Sequence, residues 1–406
     1  MGWLAYLSAN EGVNTTMTNI GELQALEHEM EEWRHYLHAH PETLFQEENT
    51  SQFAADKLES LGIKVQRGIG RTGLVATLSK GNNGSRAIGL RADMDALDIQ
   101  EENDLDYRSV IPGKMHACGH DGHVAMLLGA AKFLASSNSF NGTVHFIFQP
   151  AEEGGGGGQA MIDDGLFQRF PMDSVFALHS FPILPEGSFA IRSGVVSAAS
   201  DKFDITITGV GGHAARPQAA RDPIVAAAQL ISMFQTIVSR NTDPIEGAVI
   251  SVTEIKGGST YNAIPDTVTM RGTTRHFLPH IQDLIESRMK EVLKGLELSM
   301  GVRTEINYER LYPAVVNTAK ETQQAIGAAA IVAGRENVYT EIPPTMGSED
   351  FAFMLKVKPG AYIALGSGMP SVNGLPHQSG YNFNDRLLAT GACYWVNLVQ
   401  TLLPNA

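Results

Sequence analysis

Hydrophobic residues near the start of the chain recur at spacings of three and four. From Glu22 to Leu37 these apolar positions fall on one face of a helix. Pro41 predicts that the helix ends at or before His40, because proline disfavours helical backbone in the residue before it. The pattern therefore predicts an amphipathic helix as the first element.

The chain that follows alternates between helical and strand-like patterns up to about residue 180. The predicted elements are a helix at 51–61, strands at 73–78 and 87–92, a helix at 121–135, and strands at 143–148 and 174–178. Helices that alternate with apolar strands are typical of layered α/β domains. We therefore expect an α/β fold for this part of the chain.

The pattern changes near Ser193. Phe203, Ile205 and Ile207 alternate with polar residues, as in a strand with one buried face. A helix at 222–238, strands at 248–255 and 267–273, a helix at 280–298 and a strand at 304–308 complete the order β-α-β-β-α-β. This is the order of the ferredoxin-like split β-α-β fold. The sequence thus predicts an inserted domain at 194–310, which interrupts one α/β domain made of residues 1–193 and 311–406.

Composition and charge narrow the classes of protein. The chain has 406 residues, of which 43% are hydrophobic and 18% charged, which excludes a disordered or fibrous protein. The formal net charge of −14 repels phosphate backbones and anionic lipid, so we expect neither a nucleic acid nor a membrane as partner. No apolar run approaches the roughly 20 residues of a membrane-spanning helix.

The cysteines and the first residues indicate a compartment. Cys118 and Cys393 are the only two cysteines, too few for a disulfide framework, which favours a reducing compartment. The stretch from Met1 to Asn10 lacks the basic and long apolar regions of a signal peptide. We therefore expect a cytoplasmic protein.

The densest group of chemically active residues runs from His116 to His123, with the sequence His-Ala-Cys-Gly-His-Asp-Gly-His. Histidine, cysteine and aspartate are suitable ligands for Zn²⁺ or a similar divalent ion. Structural roles are the alternative, since His120 could cap the helix and Cys118 could be a small buried residue. Spacing leaves open which residues bind, because both His116 with His120 and His120 with His123 fit one helix face.

Glu152 and Glu153 follow the strand at 143–148 and precede five glycines, Gly154 to Gly158. Neighbouring side chains in extended backbone point in opposite directions, so one glutamate could bind a metal while the other faces water or substrate. The glycines permit close approach of the backbone. A phosphate-binding loop is the alternative, but no Gly-Lys-Ser/Thr sequence follows.

Other candidates are weak when each is taken alone. Asp93 and Asp95 follow a strand, where ligand sites of α/β sheets form, although a turn explains them equally well. His179 ends a strand and His377 lies in a loop rich in glycine and proline. Further isolated candidates occur in the predicted insertion and close to the start of a later helix: His213, Asn262, Arg275 and the segment 346–351.

Together these segments resemble a known family. They are Arg-Ala-Asp-Met-Asp-Ala at 91–96, the cluster at 116–123, Pro-Ala-Glu-Glu-Gly at 150–154, Ala-Leu-His at 177–179, Gly-His-Ala at 212–214, Asn-Ala-Ile-Pro at 262–265 and Met-Gly-Ser-Glu-Asp-Phe at 346–351. Their order resembles that of the zinc-dependent amidohydrolases that include hippurate hydrolases, indole-acetyl-amino-acid hydrolases and bacterial N-acyl-amino-acid amidohydrolases. The match covers nearly the whole chain, from about Glu22 to Asp385.

The resemblance implies the fold, the cofactor and the roles of residues. It implies a zinc-peptidase-like domain with a mixed sheet flanked by helices, and an inserted lid. Two divalent ions per chain are implied, Zn²⁺ first, with Mn²⁺ or Co²⁺ as alternatives. The implied metal ligands are Cys118, His120, Glu153, His179 and His377.

The remaining implied roles concern catalysis and substrate binding. Glu152 would be the general base, and His213, Asn262 and Arg275 would hold the carbonyl and carboxylate groups of the substrate. Asp93 and Asp95 match a position that either contacts the metal ligands or is structural, so we assign them no catalytic role.

The expected reaction is hydrolysis of a small N-acyl amino acid to a carboxylic acid and a free amino acid, by a metal-activated water. A dipeptidase or exopeptidase with the same centre is one alternative, and a catalytically silent binding protein on this fold is another. Unpaired edge strands in the insertion predict a homodimer or higher homo-oligomer that forms through this domain. In such a dimer His213 could act on the partner's site.

Overall fold

The computed structural model describes residues 17–81, 85–368 and 374–405. The interpretation of residues 1–10 concerns a stretch outside these ranges. The described chain divides into two compact units. The first contains the described residues up to Val196, then Val316–Pro343, and those from Asp350 onward; the second contains Ser197–Val315 and Pro344–Glu349.

The α-helices and strands are numbered in chain order. The helices are α1 (Ile20–Gln24), α2 (Glu27–Ala39), α3 (Glu48–Ser60), α4 (His120–Ser136), α5 (Gly157–Asp163), α6 (Leu166–Arg169), α7 (Pro223–Asn241), α8 (Pro279–Met300), α9 (Ala319–Ala333), α10 (Phe351–Val357) and α11 (Leu388–Leu402). The strands are β1 (Lys64–Ile69), β2 (Gly73–Lys80), β3 (Ala87–Asp93), β4 (Gly142–Gln149), β5 (Ser174–Phe181), β6 (Phe189–Ala190), β7 (Gly194–Ser197), β8 (Ala199–Thr208), β9 (Gly212–His213), β10 (Ala248–Gly257), β11 (Ala263–Ile264), β12 (Thr267–His276), β13 (Arg303–Tyr312), β14 (Val315–Asn317), β15 (Val338–Tyr339) and β16 (Gly360–Gly366).

An eight-stranded mixed sheet forms the centre of the first unit, in the order β1-β2-β4-β3-β5-β16-β6-β15. The four central strands β4, β3, β5 and β16 are parallel. Strand β2 runs antiparallel to β4, β1 runs antiparallel to β2, and β6 runs antiparallel to β16. This sheet and its helices confirm the predicted α/β class. The parallel centre brings the carboxyl ends of four strands to one edge.

Alternating residues of the sheet face two apolar layers, as β2 shows. On β2, Leu74 and Ala76 belong to the large core that includes residues of α2, α4 and α11. Val75 belongs to a second core, which contains Met161 of α5 and Phe351 of α10. Strands buried on both faces in this way are typical of sheets covered by helices on both sides.

Helix α4 is buried almost all round, and it places the predicted His cluster at the sheet edge. Gly129 lies against Met30 of α2, since a Cβ at residue 129 would be 2.1 Å from the Met30 sulfur. A Cβ at Gly391 of α11 would likewise lie too close to a sulfur, 1.9 Å from that of Met126. These glycines let three helices approach closely, which fixes the axis of α4 and the position of its first residue, His120.

The second unit contains a four-stranded antiparallel sheet in the order β10-β12-β8-β13. Helices α7 and α8 contribute to its single apolar core, together with Phe203, Ile205 and Ile207 of β8. Asp222 is the N-cap of α7 and accepts a hydrogen bond from the Ile224 amide at 2.8 Å. The residues on β8 that alternate with the core positions are exposed or half-buried, as expected for a sheet covered on one face.

Two details of the predicted organisation differ from the structure. The first helix is interrupted at Ala25 and Leu26, where α1 ends and α2 begins; apolar residues continue at helical spacing through this break, so periodicity gave no signal of it. The second unit also includes residues 344–349, outside the predicted insertion at 194–310. The Ala198 amide donates to the carbonyl oxygens of Thr345 and Gly347, both at 3.0 Å, which joins that segment to the residue that precedes β8.

Within residues 17–81, 85–368 and 374–405, we find no helix with the length and apolar character that crossing a bilayer requires.

Candidate metal centre

The candidate site lies at the carboxyl ends of the parallel strands of the first unit. Strand β3 ends at Asp93, β4 ends at Gln149 shortly before Glu152 and Glu153, and His179 lies near the end of β5. Helix α4 begins at His120. Ligand sites of α/β sheets form at this edge, where loops leave successive strands.

Three of the predicted ligands come together as one group. A Cys118 sulfur, a Glu153 oxygen and a His377 nitrogen all lie within 4.8 Å of one another. His377 Nε2 is 3.1 Å from Glu153 Oε1, and this histidine is a non-glycine residue with positive φ, 65°. The sequence placed these residues in three separate segments, and the fold brings them together.

His120 and His179 complete the predicted set. The Nδ1 atoms of His120 and His179 lie 2.8 Å and 2.7 Å from the carbonyl oxygens of Asp95 and Ser180. These contacts require Nδ1–H to donate, which leaves Nε2 of each ring as a lone-pair donor for a metal. His179 Nε2 is 3.5 Å from the Cys118 sulfur. His120 Nε2 is buried and has no hydrogen-bond partner among the described groups.

The donor set fits divalent metal ions. Backbone carbonyls that anchor Nδ1 and orient Nε2 are the usual outer partners of metal-binding histidines. One thiol, one carboxylate and three imidazoles provide the mixture of sulfur, oxygen and nitrogen that suits Zn²⁺ and its neighbours in the transition series. The unpartnered nitrogen of His120 is a further sign, since buried polar atoms usually have a partner.

Gly119 permits the turn between Cys118 and His120. Its φ is 96°, a conformation that favours glycine. A Cβ at this position would lie 2.6 Å from Tyr381 Oη and 2.8 Å from Ser180 Oγ. Side chains at residue 119 are therefore excluded by both conformation and space, and two predicted ligands can flank the turn.

Glu152 and Glu153 lie in a turn and not in extended backbone. Ala151 has a positive φ of 51°, and the Glu153 amide donates to Asp95 Oδ2 at 2.9 Å. Oxygens of both glutamates lie within 4.8 Å of each other and of a nitrogen of His120. The prediction that the two side chains point in opposite directions is therefore wrong, because the chain leaves β4 before it reaches them.

The structure also separates the alternatives within the His116–His123 cluster. His123 uses both ring nitrogens, since Nδ1 lies 2.7 Å from Asp93 Oδ1 and Nε2 accepts a hydrogen bond from the Ser180 amide at 2.9 Å. His116 is buried and belongs to none of the potential metal groups found among the described residues. Of the three histidines, His120 is the one that shares a group with a glutamate.

The three residues grouped at Cys118 shift one another's pKa values. Hydrogen bonds with Cys118 and Glu153 raise the pKa of His377 to about 10. Burial raises the pKa of the Cys118 thiol, and the Glu153 carboxylate adds to this effect. Although burial opposes it, the hydrogen bond with His377 lowers the pKa of Glu153. A divalent ion would displace protons from this group, because metal-binding thiols and imidazoles are deprotonated.

The site contains buried acids to which sequence reasoning assigned no catalytic role. Asp95 holds both His120 and the Glu153 amide, and Asp93 Oδ2 lies 3.7 Å from His120 Nε2. Arg91 is buried and donates to Asp93 at 2.6 Å and to Asp350 at 3.2 Å. The Asp350 amide in turn donates to Glu152 Oε1 at 3.4 Å. The sequence signals for this network were the position of Asp93 and Asp95 after a strand and the motifs at 91–96 and 346–351.

The other predicted residues lie in the second unit. His213 pairs with Ala263 between β9 and β11, and the Ala214 amide donates to the Asn262 carbonyl at 3.0 Å, so His213 and Asn262 are neighbours. Arg275 lies near the other end of β12, whose residues 267–275 span about 27 Å. Within one chain, the length of β12 therefore separates Arg275 from the segment that carries Asn262.

Arg275 is half-buried and has no carboxylate within ion-pair distance among the described residues. Burial lowers the pKa of its guanidinium. Its donors reach Thr273 Oγ1 and, at 2.9 Å, the carbonyl oxygen of Thr274. A guanidinium with this environment is suited to binding an anion.

Comparison with known proteins identifies the family. The model of peptidase family M20/M25/M40 matches residues 89–401. The chain belongs to this family. Hippurate hydrolase of Campylobacter jejuni is 42% identical to this M20/M25/M40 protein over 388 residues, which cover 95% of the chain and 100% of the relative. IAA-amino acid hydrolase ILR1-like 2 of Arabidopsis thaliana is 38% identical over 381 residues, with coverage of 92% and 85%.

A solved structure extends the likeness of the M20/M25/M40 chain to three dimensions. The YXEP protein of Bacillus subtilis, described as a dinuclear metal binding peptidase, has a TM-score of 0.79 and 31% identity, and the match covers 94% of this chain and 100% of that one. The resemblance inferred from the motifs is confirmed. The protein is a metal-dependent amidohydrolase.

Proposed function

We propose that this protein hydrolyses N-acyl amino acids at two divalent metal ions held by Cys118, His120, Glu153, His179 and His377. The convergence of these five donors from four separate chain segments is the observation that carries the proposal. The names of the relatives support the substrate class, since hippurate and IAA-amino acids are N-acyl amino acids. The dinuclear metal content of the B. subtilis structure supports the number of ions.

The roles of the side chains follow from their positions. Two bound cations would polarise the amide carbonyl and lower the pKa of water. Glu152, beside His120 and Glu153, takes a proton from the attacking water as the C–O bond forms. The same carboxyl then gives that proton to the nitrogen as the C–N bond breaks, which releases the free amine.

The protein should bind the substrate carboxylate through Arg275 and the carbonyl through His213 and Asn262. The length of β12 between Arg275 and the His213–Asn262 pair favours a site that combines residues of two chains, because an N-acyl amino acid is much shorter than that strand. A homodimer that forms through the second unit would supply both sets of residues. In this arrangement His213 acts on the partner's centre.

A pair of variants tests the division of roles between the glutamates. Glu152→Gln should lower kcat by about 10²- to 10⁴-fold and keep both metals, whereas Glu153→Ala should lose metal. Elemental analysis and turnover of a panel of N-acetyl, N-benzoyl and indole-acetyl amino acids measure both effects. Equal metal loss in the two variants would refute the assignment. Turnover of dipeptides in preference to the whole panel would instead indicate an exopeptidase.

Arg275→Ala tests the carboxylate contact. It should raise KM strongly with metal content unchanged, and esterifying the substrate carboxylate should do the same. Arg271→Ala is the matched control, since Arg271 lies four residues earlier on β12 but pairs with Asp204 at 2.8 Å. Equal KM values for Arg275→Ala and Arg271→Ala would contradict the contact.

The two-chain site is tested by mixing Glu152→Gln with His213→Ala under conditions that exchange subunits. If His213 acts across the dimer, a mixed dimer contains one intact site and activity returns. An inactive mixture that is shown to contain mixed dimers would exclude action across the dimer.

A further inference from the structure

Glu47 is a buried carboxylate beside the loop that carries Glu152. Its side chain accepts three hydrogen bonds, from the amide of Phe45 at 3.0 Å, the hydroxyl of Thr72 at 2.5 Å and the amide of Ala151 at 2.9 Å. The residue is fully buried. The segments that it joins are separated by 25 and 104 positions in the sequence.

Strained backbone surrounds this carboxylate. Phe45, Arg71 and Ala151 have φ values of 59°, 75° and 51°, and they are three of five non-glycine residues with positive φ in the described chain. Glu47 binds two of them directly and binds the neighbour of the third, Thr72. The Arg71 guanidinium also lies 4.2 Å from the centre of the Phe45 ring. Such conformations persist only where surrounding contacts hold them, and they are enriched at functional sites.

The strain at Ala151 determines where Glu152 points. Ala151 is the residue at which the chain turns out of the segment after β4, and Glu152 follows it directly. Beyond Glu152, the Glu153 amide is held by Asp95. The backbone is therefore fixed by a buried carboxylate on each side of Glu152, by Glu47 before it and Asp95 after it.

We propose that Glu47 is a positioning residue that holds Ala151 in its left-handed conformation and thereby orients the carboxylate of Glu152 for proton transfer. This rests on the proposed role of Glu152 as general base. Glu47 touches neither substrate nor metal ligand side chain in this account. It acts through the backbone, and a small displacement of a catalytic group is enough to slow a reaction greatly.

Glu47→Gln is the first variant. Glutamine keeps the size of the side chain, and its N–H₂ group can donate to the Thr72 hydroxyl, but its neutral amide oxygen accepts the bonds from Phe45 and Ala151 more weakly than a carboxylate does, so the turn should loosen. We expect kcat to fall about 10- to 100-fold while KM changes little. Metal content should remain that of the wild type, because Asp95 still holds the Glu153 amide. Wild-type kcat, or loss of metal in parallel with kcat, would overturn the proposal.

Glu42→Gln is the matched control. The Glu42 carboxylate accepts four hydrogen bonds at the start of α3, from the backbone amides of Asn49 and Thr50, the Thr50 hydroxyl and the Asn49 side chain. Its kcat should stay within about twofold of wild type. An equal loss in both variants would show a general effect of removing a carboxylate and would overturn the proposal. Thr72→Val removes one hydrogen bond to Glu47, and it should give a smaller loss of the same kind if Glu47→Gln does not fold.

Two double variants show whether Glu47 acts through the turn. Glycine adopts positive φ without a steric penalty, so Ala151→Gly in the Glu47→Gln background should restore kcat at least about fivefold. In the Glu152→Gln background, Glu47→Gln should cause no further loss, because the group that it orients has been removed. No rescue by glycine, or an additive loss with Glu152→Gln, would overturn the role of Glu47 and leave Glu152 as base. Full activity of metal-loaded Glu152→Gln would instead refute the proposed function itself.

Discussion

Gly157 offers a direct test of the turn that presents the two glutamates. This residue begins α5, and its amide donates to the Ala151 carbonyl at 3.1 Å. A Cβ at position 157 would lie 1.6 Å from the carbonyl oxygen of Pro150. That oxygen belongs to backbone and not to the end of a flexible side chain, so Gly157→Ala forces one of the two segments to move.

The size of the movement follows from contact distances. A carbon and a carbonyl oxygen approach no closer than about 3.3 Å, so Pro150 or the start of α5 must shift by about 1.7 Å. A displacement of about 1 Å in catalytic geometry can cost about 10²-fold in rate. We therefore expect Gly157→Ala to lower kcat by at least about 10²-fold, and overpacking should lower the free energy of unfolding by about 1–3 kcal/mol.

Steady-state kinetics and urea unfolding of metal-loaded protein measure the two effects. Gly327→Ala is the control, because residue 327 lies within α9 and a Cβ there meets nothing within 4 Å. That substitution should keep the wild-type rate and raise stability by about 0.5–1 kcal/mol. Wild-type kinetics and stability in Gly157→Ala would refute the described path of the chain from Pro150 to α5.

Three further predictions concern buried groups. Burial lowers the pKa of His38, but hydrogen bonds to Asp121 and Glu101 outweigh it and raise the pKa to about 9. The raised pKa stabilises the folded state by about 3 kcal/mol. This stabilisation is complete below pH 6.5 and is lost as pH rises through 9. Urea unfolding of His38→Gln should lack that loss between pH 6.5 and 9.5. Arg91→Met removes the cation between two buried aspartates and should cost about 3–5 kcal/mol, measured by the same method at pH 7. Phe234→Ala in the core of the second unit should cost about 3–5 kcal/mol in thermal unfolding, and a cost below 1 kcal/mol would contradict the described packing.

Periodicity was informative wherever an element buries a regular face. The helices at 222–238 and 280–298 and the alternating strand at Phe203 were predicted because each has one apolar face against a single core. The break at Leu26 was missed, since its apolar spacing continues through the interruption. Periodicity reports which face is buried, and it does not report where one helix stops and another starts.

The candidate site was predictable only in part. The cluster at 116–123 has its own chemical signal, but His179 and His377 were assigned through the resemblance, because isolated histidines have no distinctive spacing. The relative orientation of Glu152 and Glu153 depends on a turn in which Ala151 has a positive φ. The amino-acid composition does not predict this conformation at an alanine. Glu47 was missed because two of its three donors, Thr72 and Ala151, are brought to it only by the folded chain.

The position of β16 has a consequence for synthesis of the chain. This strand lies between β5 and β6 in the large sheet. Its last residue, however, is added 185 residues after the last residue of β5. At about 5–20 residues per second, a ribosome needs about 10–40 s to complete that interval. Throughout it, the apolar β5 lacks a neighbour on one side, and its open edge can pair with other nascent chains. Slow passage through the inserted segment should therefore increase aggregation and the need for chaperones, even though β16 pairs with this edge from Val175 to Phe181 in the finished protein.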